Sequence, residues 1–594
     1  MSRMSAPANS IVALVAIGLL GASPAPAQQA PGCDAIAEPE RRRPGRPLPA
    51  PPARCTEGGL LPAAWDELPE FEGLPDRWQV ASMLGYPERW WDPYNTNNVL
   101  KGDRPAFGKD WFVSLNLISD STVGARNVPT PVGATSSPRP GSLDLPGDAD
   151  QDLFVQNVLL EAVLYKGDTV FKPPDYELRI IPVFNFSRVA VNEAGLLKAD
   201  PVAPLTRREG FVGIQGLFVD KHLRNVGERY DFDSLRVGIQ PVTADFRGFL
   251  FQDSPVGVRL FGTRDNNRWQ YNLGWFRRIE KDTNSGLNDI TENDLDEAIR
   301  DDDVFLFNLY RQDFPVLGFT SQVVIAHNRN REDERDFIDD NGFLVRPAAL
   351  GVQVPRHYDV TYAGLNGDGH FGRWNLTASA YFAFGDEEEA VFTGRDADIR
   401  AAFAAAEVSR DFDWLRLRAT LVYGSGDDDP YDDRSTGFDA ILENPLIAGA
   451  DTSFWIREAV PLIGGGRVTI SGQNGLLNSL RPSKFQGQSN FTNPGVILAG
   501  VGADLDLTPK LRVTLNANQL WFDDTAVIAA ARNQGRVARD IGQDLSLHII
   551  YRPLTSQNIV LRVAASALLP GAGYENLYGD DTPYTVFANL VLSY

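Results

Sequence analysis

Histidine, cysteine, serine and carboxylate side chains build most catalytic and metal-binding sites, and this chain is short of the first two. It carries five histidines, His222, His327, His357, His370 and His548, and two cysteines, Cys33 and Cys55. No two histidines have metal-ligand spacing, no nucleophile signature surrounds a serine, and no 12-residue calcium loop can be traced. Asp544, Ser546 and His548 share one parity of an extended run, but four residues of strand put Asp544 and His548 about 13 Å apart. That is too far for a hydrogen-bonded relay, so neither catalysis nor a cofactor or metal is expected. Both cysteines precede residue 56, where an oxidising compartment would either join them or leave two thiols in a loose segment.

Arginine is the more informative residue. Arg179, Arg236, Arg259, Arg416, Arg418, Arg512 and Arg562 interrupt apolar alternation on the polar parity of extended segments, and Arg247 lies in a connection between two of them. A guanidinium binds a carboxylate through two parallel hydrogen bonds, and a ring of such groups around water would select anions. The same parity carries Glu161, Glu177, Asp359, Asp504, Asp506 and Asp544, leaving an excess of one positive charge. Arginine–carboxylate pairs that merely brace a wall are the other reading of that balance.

The elements that would hold these arginines are strands. Leu511, Val513, Leu515 and Ala517 alternate with Arg512, Thr514, Asn516 and Asn518, and Leu415 to Leu421 repeats the pattern around Arg416 and Arg418. A period of two separates two media, and arginine on the second face demands water there. Eighteen such segments run from 111–118 to 584–594. The connections alternate between long ones, such as 119–152, 329–356 and 425–494, and tight ones, such as Thr263–Asn267, Asp411–Asp413 and Thr508–Lys510. An even count with long loops on one side and short turns on the other is the plan of a bacterial barrel.

Composition agrees. The 594 residues are 43% hydrophobic, 10% aromatic and 23% charged, with a net charge of −22. That acidity is opposed to binding nucleic acid, and beyond residue 22 no apolar run reaches the roughly 18 residues that a spanning helix needs. Arg3, the apolar stretch Ile11–Leu20 and Ala25-Pro26-Ala27 read as a signal peptide over 1–27. A proline-rich periplasmic leader and lead-in, 28–105, has ten prolines between Pro31 and Pro75; a barrel over 106–594 follows. Within the lead-in, Trp90 to Asn95 and Leu100 to Asp103 would seat against the periplasmic rim or simply lead the chain in. The last strand ends in Tyr594 behind Leu592, Leu590, Ala588 and Val586 on one face, similar to the terminal signal that outer-membrane assembly machinery reads. Trp111, Trp269, Trp275, Trp374, Trp414 and Trp521 suit interfacial girdles.

Two loops stand out. Residues 279–302 hold nine acids, which could bridge to lipopolysaccharide through divalent cations but more simply form a solvated tip. The stretch 425–494 mixes glycine with Ile441-Leu442, Pro445-Leu446-Ile447 and Phe454-Trp455-Ile456. That apolar content is costly at a wet surface, so the loop is expected to fold into the lumen or to pack over the mouth.

Residues 235–261 carry Leu235-Arg236-Val237-Gly238-Ile239-Gln240, then Phe246-Arg247-Gly248-Phe249, then Gly257-Val258-Arg259-Leu260. The stretch resembles the alginate-export family of outer-membrane barrels. The resemblance implies an eighteen-strand barrel and passive export of an anionic polysaccharide, with Arg236, Arg247 and Arg259 at matching positions. The expectation is therefore an all-β protein, one transmembrane antiparallel barrel of about 18 strands (16–18), in the bacterial outer membrane. Its partners would be membrane lipid and lipopolysaccharide, the assembly machinery and a hydrophilic or anionic solute. A plugged structural or adhesion barrel is the alternative, and an outer-membrane enzyme a more distant one.

Overall fold

A computed structural model describes residues 77–594, apart from 95–96, 130–148, 168–171, 292–294, 333–335, 349, 355, 459, 463–467, 469, 471 and 478–479. The signal peptide, most of the leader, Cys33 and Cys55 lie outside the described residues. Eighteen antiparallel strands form one closed sheet. In chain order they are β1 Trp111–Asn127, β2 Asp150–Lys166, β3 Tyr176–Val191, β4 Thr206–Asn225, β5 Phe232–Ile239 and β6 Val256–Arg264. Then come β7 Trp269–Ile279, β8 Ile299–Arg311, β9 Phe319–Asn330, β10 Tyr358–Phe371, β11 Trp374–Glu387 and β12 Ala397–Phe412. The set ends with β13 Leu415–Gly424, β14 Val496–Thr508, β15 Leu511–Trp521, β16 Asp540–Tyr551, β17 Ile559–Pro570 and β18 Tyr584–Ser593. Each pairs with its neighbour, and β18 returns to β1 from Ile118↔Ser593 to Asn127↔Tyr584. Closure leaves no unpaired edge in the hydrocarbon, which is what lets a sheet cross it.

Burial follows the alternation. Leu365, Leu421 and Val501 point outward and are 57%, 64% and 62% exposed, whereas Asn366, Thr420 and Gly500 beside them are buried. The outward residues form an apolar belt with Trp269, Trp275, Trp374, Phe382 and Phe384 on its surface. No described helix is long and apolar enough to span a membrane, and the strands do so instead.

β1 reaches further toward the short-turn side than β18 does, so its first residues would offer a bare edge. The segment before it covers that edge. The Leu115 amide donates to the Leu100 carbonyl at 2.7 Å, Lys101 bridges Ser114, and Lys101 Nζ donates to the Leu115 carbonyl at 2.6 Å. Lys101 also lies 4.2 Å over the ring of Tyr594, whose hydroxyl accepts from Asn98 Nδ2 at 3.2 Å and donates to the Trp90 carbonyl. Thus the lead-in residues clasp the terminal aromatic and seal the foot of the seam.

One parity assignment is corrected. Asp359 faces outward, paired with Arg331 and 3.6 Å from His327, because Tyr358, Val360 and Tyr362 turn inward onto an apolar filling. That filling is the loop 425–495, which folds into the lumen.

The belt makes a direct prediction. Val501 lies near the middle of β14 on the outer face, so Val501→Arg should cost about 2–4 kcal/mol of refolding stability in lipid bilayers. Denaturant titration in vesicles checks this, and an unchanged midpoint would contradict the assigned face.

Candidate functional site

A barrel of eighteen strands is too wide for its wall side chains to fill, and here two long loops do much of the filling. The first, 240–255, turns inward after β5. Asp245 organises it by accepting from the amides of Arg247, Phe249 and Leu250 at 2.9, 3.1 and 3.0 Å and from the Tyr381 hydroxyl at 3.0 Å. The second, 425–495, runs beside it. The Gln252 amide donates to the Leu442 carbonyl at 2.8 Å, and the Asn444 amide to the Gly248 carbonyl at 2.8 Å. Phe438, Ile441, Phe454, Trp455, Ile456 and Phe491 of the second loop are buried in one cluster with the wall residues Tyr362, Tyr381 and Phe403.

The polar half of that loop is fastened around the inner wall. Asp544 of β16 accepts from the Phe454 and Trp455 amides at 3.1 and 3.2 Å and from the Ser453 hydroxyl. Glu458 pairs with Arg126 of β1 at 2.5 Å. The Phe485 carbonyl accepts from Arg278 of β7 and Arg300 of β8 at 3.2 and 2.8 Å. Gln488 donates to Asn330 and to the Arg356 carbonyl, each at 2.7 Å. Inside the loop, Arg481 bridges Asp439 and Glu443 at 2.8 Å each, and Lys484 reaches Glu443 at 2.6 Å. On the rim beside it, burial would raise the Glu332 carboxyl, but Arg300 and Arg346 hold it at about 2. Buried charges are stable only when paired in this way.

The coverage is one-sided. Inner residues of β8 to β12 are mostly buried beneath the loops, while most of those of β1, β2, β5 and β6 stay half-buried. On this opener wall the predicted arginines come together. Arg179 pairs with Glu161 and Glu177 at 2.6 and 2.8 Å, and Arg236 with Asp220 at 2.8 Å. Arg236 and Arg259 are direct cross-strand partners. Arg179 and Arg236 both lie over Phe218, at 5.6 and 4.2 Å, and Arg236 and Arg259 over Phe261, at 5.5 and 5.1 Å. Arg259 donates to Asn272 at 2.8 Å and has no carboxylate partner among the described residues. Arg247 sits apart on the in-folded loop, donating to Thr377 at 2.6 Å and to the Leu446 carbonyl at 3.3 Å. A cavity of about 320 Å³ opens beside this wall, with Lys101, Asn116, Glu161, Tyr165, Glu177 and Arg179 in its lining.

Of the other predicted arginines, those of β13 and β15 lie across the lumen, and Arg562 stands on β17, two strands from β1. Arg416 pairs with Asp411 at 2.5 Å, Arg418 with Asp504 at 3.1 Å and Arg512 with Asp506 at 2.7 Å. Arg562 faces inward without an ion pair among the described residues. The inner parity was legible for these positions. What sequence reading missed was the in-folding of 240–255, for which Asp245 ahead of three buried apolar residues was the available signal, and the amide-rich run Gln486–Asn493 that lines the plug.

Among the described residues no bond-making constellation appears. Asp544 is engaged by the short helix of the loop, Ser546 shares hydrogen bonds with Thr452 and Asn516 at 3.2 Å, and His548 Nε2 is buried without a partner. Among the described residues no group of three metal-ligating side chains occurs.

Closed wall, apolar belt and polar, partly filled lumen define a transmembrane β-barrel of the bacterial outer membrane. No family model and no curated protein matches the sequence, so the alginate-export resemblance of residues 235–261 finds no support there. Solved structures with a similar course include Pseudomonas aeruginosa OccK9 (OpdG), at 15% identity and TM-score 0.44, covering 81% of this chain and 98% of that one. Acinetobacter baumannii OccAB1 gives 11% identity and 0.44, covering 81% and 96%. A BenF-like porin from Pseudomonas fluorescens Pf-5 gives 12% and 0.42, covering 81% and 98%. Similarity at this level assigns neither family nor substrate.

The Asp544 anchor can be tested. Asp544→Ala strands the amides of Phe454 and Trp455, a loss of about 1–3 kcal/mol, so single-channel conductance should rise and the 425–495 loop should become sensitive to protease. Unchanged conductance together with unchanged cleavage would show that the loop is held elsewhere.

Proposed function

We propose that the protein is a passive outer-membrane channel for hydrophilic, anionic solutes, a carrier of cargo rather than an enzyme. The observation that supports this reading best is the pairing of Arg236 with Arg259 across adjacent strands on the half-open wall, with Asp220 the one carboxylate among the described residues ion-paired to either. Two guanidinium groups held on phenylalanine faces in a wet, narrow lumen favour a carboxylate or sulfate over a cation. The alginate-export resemblance of residues 235–261 would make that cargo an anionic polysaccharide. Arg179 and Arg247 would then extend the basic surface along the wall and onto the in-folded loop, Arg562 would continue it on β17, and Arg416, Arg418 and Arg512 would continue it on the far side.

A second reading has its own support. The loop 425–495 is tied to β1, β7, β8, β9 and β16, which suits a permanently plugged structural or adhesion barrel. Planar-bilayer recording separates the two, because a plugged barrel passes no current until the loop is removed.

For the channel, reversal potentials in a salt gradient read the sign of the lumen field. Replacing Arg236, Arg247 and Arg259 with Gln should lower the anion-to-cation permeability ratio by at least about twofold, the scale expected for partly screened charges beside water. A ratio equal to that of the parent protein would remove these arginines from any role in transport.

A further inference from the structure

On the outer face, Arg188 of β3 and Arg208 of β4 stand directly opposite each other. Their direction is set by their neighbours. Val189 and Val191 pack inward with Leu196, Leu197 and Val468, and Arg207 donates to the Val468 carbonyl, so the alternate residues Arg188 and Arg208 face out. Both are exposed, and neither has an ion pair among the described residues. Opposed side chains on antiparallel strands lie about 4.5–5.5 Å apart at Cβ, where like charges repel. Elsewhere on the outer rim charges are compensated by neighbours: Arg277, Asp303, Arg329 and Asp359 alternate in sign across β7 to β10, and where Asp359, Asp386 and Asp398 follow one another across β10 to β12, Asp359 is paired with Arg331 and Asp398 with Arg400. The nearest outward carboxylate on β2, Asp152, lies diagonally, two residues from the Phe154 that opposes Arg188, and makes no ion pair with it.

Height on the barrel points to the missing counter-charge. Phe154, beside Arg188 on β2, meets Phe186, the next outward residue of β3 toward the membrane, edge-to-face at 6.3 Å, and Phe184 and Phe186 continue the apolar belt on β3. The pair lies near the long-loop ends of its strands, the side that faces the cell exterior in such barrels. Two guanidinium groups directly above a lipid-facing aromatic surface match a phosphorylated headgroup whose acyl chains run down that surface. Arginine presents a planar fork that grips phosphate bidentately.

We propose that Arg188 and Arg208 form a binding site for a phosphate of the outer-leaflet glycolipid headgroup, with Phe154, Phe184 and Phe186 as the bed for its acyl chains. The site neutralises a repulsive pair and fixes a lipid to the wall; it does not depend on what passes through the lumen.

Native mass spectrometry of the purified full chain with bis-phosphorylated lipid A tests this, using heat-modifiable gel migration to confirm folding. The parent protein should retain the lipid, and the Arg188→Gln/Arg208→Gln variant should retain at least about tenfold less, the scale of losing a charge-assisted contact. Arg400→Gln, which removes an outward arginine already paired with Asp398, should bind as the parent does. Arg188→Lys/Arg208→Lys keeps the charge without the fork and should fall between. Equal retention by the double Gln variant, equal retention of dephosphorylated lipid A, or binding of inorganic phosphate as tight as that of the lipid would each overturn the proposal.

Discussion

Pairing of the backbone governs this molecule. A strand in hydrocarbon has no water to satisfy its N–H and C=O groups, so the sheet must return to its first strand, and β18 does so along ten residues of β1. Because β1 continues below that seam, closure would still leave a bare edge at the periplasmic foot. Leu100 and Lys101 supply the partners there, while Asn98, Trp90 and Lys101 surround Tyr594. The two ends of the barrel are thereby tied together by residues that precede the first strand.

Closing so many strands creates a second problem, an interior wider than two layers of side chains. The loop 425–495 and the shorter loop 240–255 solve it by carrying their own apolar core inside, joined to each other at Phe251 and Leu442. Where they lie against the wall, the wall becomes apolar within, as at Val304, Leu306, Tyr358, Val360 and Tyr362. Where they do not, as along β1, β2, β5 and β6, the inner face keeps arginine, asparagine and carboxylate in contact with water. The asymmetry of filling therefore decides where a hydrophilic path can run.

The same asymmetry explains what the sequence disclosed. Strands bathed by lipid outside and water inside announce themselves by alternation, so all eighteen were legible in order, and Arg512 and Arg562 could be placed inside by parity alone. Alternation weakens where outward positions are small or polar: β1 continues through Ser119–Asn127, where Ser119 and Ser121 precede Val123 and Ala125 on the outward parity, a run that an amphipathic pattern captures poorly. It also fails beneath the plug, where both faces are apolar. Val360 and Tyr362 looked lipid-facing and sent Asp359 to the wrong side, because the partner that buries them lies some eighty residues later in the chain. The amides Gln486, Gln488 and Asn490 carry no signal that names their partners, since Gln486 bonds to Lys281 and Thr283 beyond β7, Gln488 to Asn330 of β9 and Asn490 to its own loop.

Charge follows the medium as well. Inside, arginines lie beside carboxylates that brace the wall, and only local departures such as Arg236 opposite Arg259 leave positive charge unspent. Buried within the plug, every such charge needs a partner, and Arg481, Asp439, Glu443 and Lys484 form a closed set. Outside, at the level of the lipid headgroups, the choice is wider, because the membrane itself brings phosphate. A repulsive pair in that zone costs little once lipid is present and would be a defect in water. On the two proposals made above, unmatched arginines on the lumen wall and on the outer rim share one physical explanation, a counter-charge that the chain does not itself contain, with the surrounding medium deciding whether that charge passes by or stays bound.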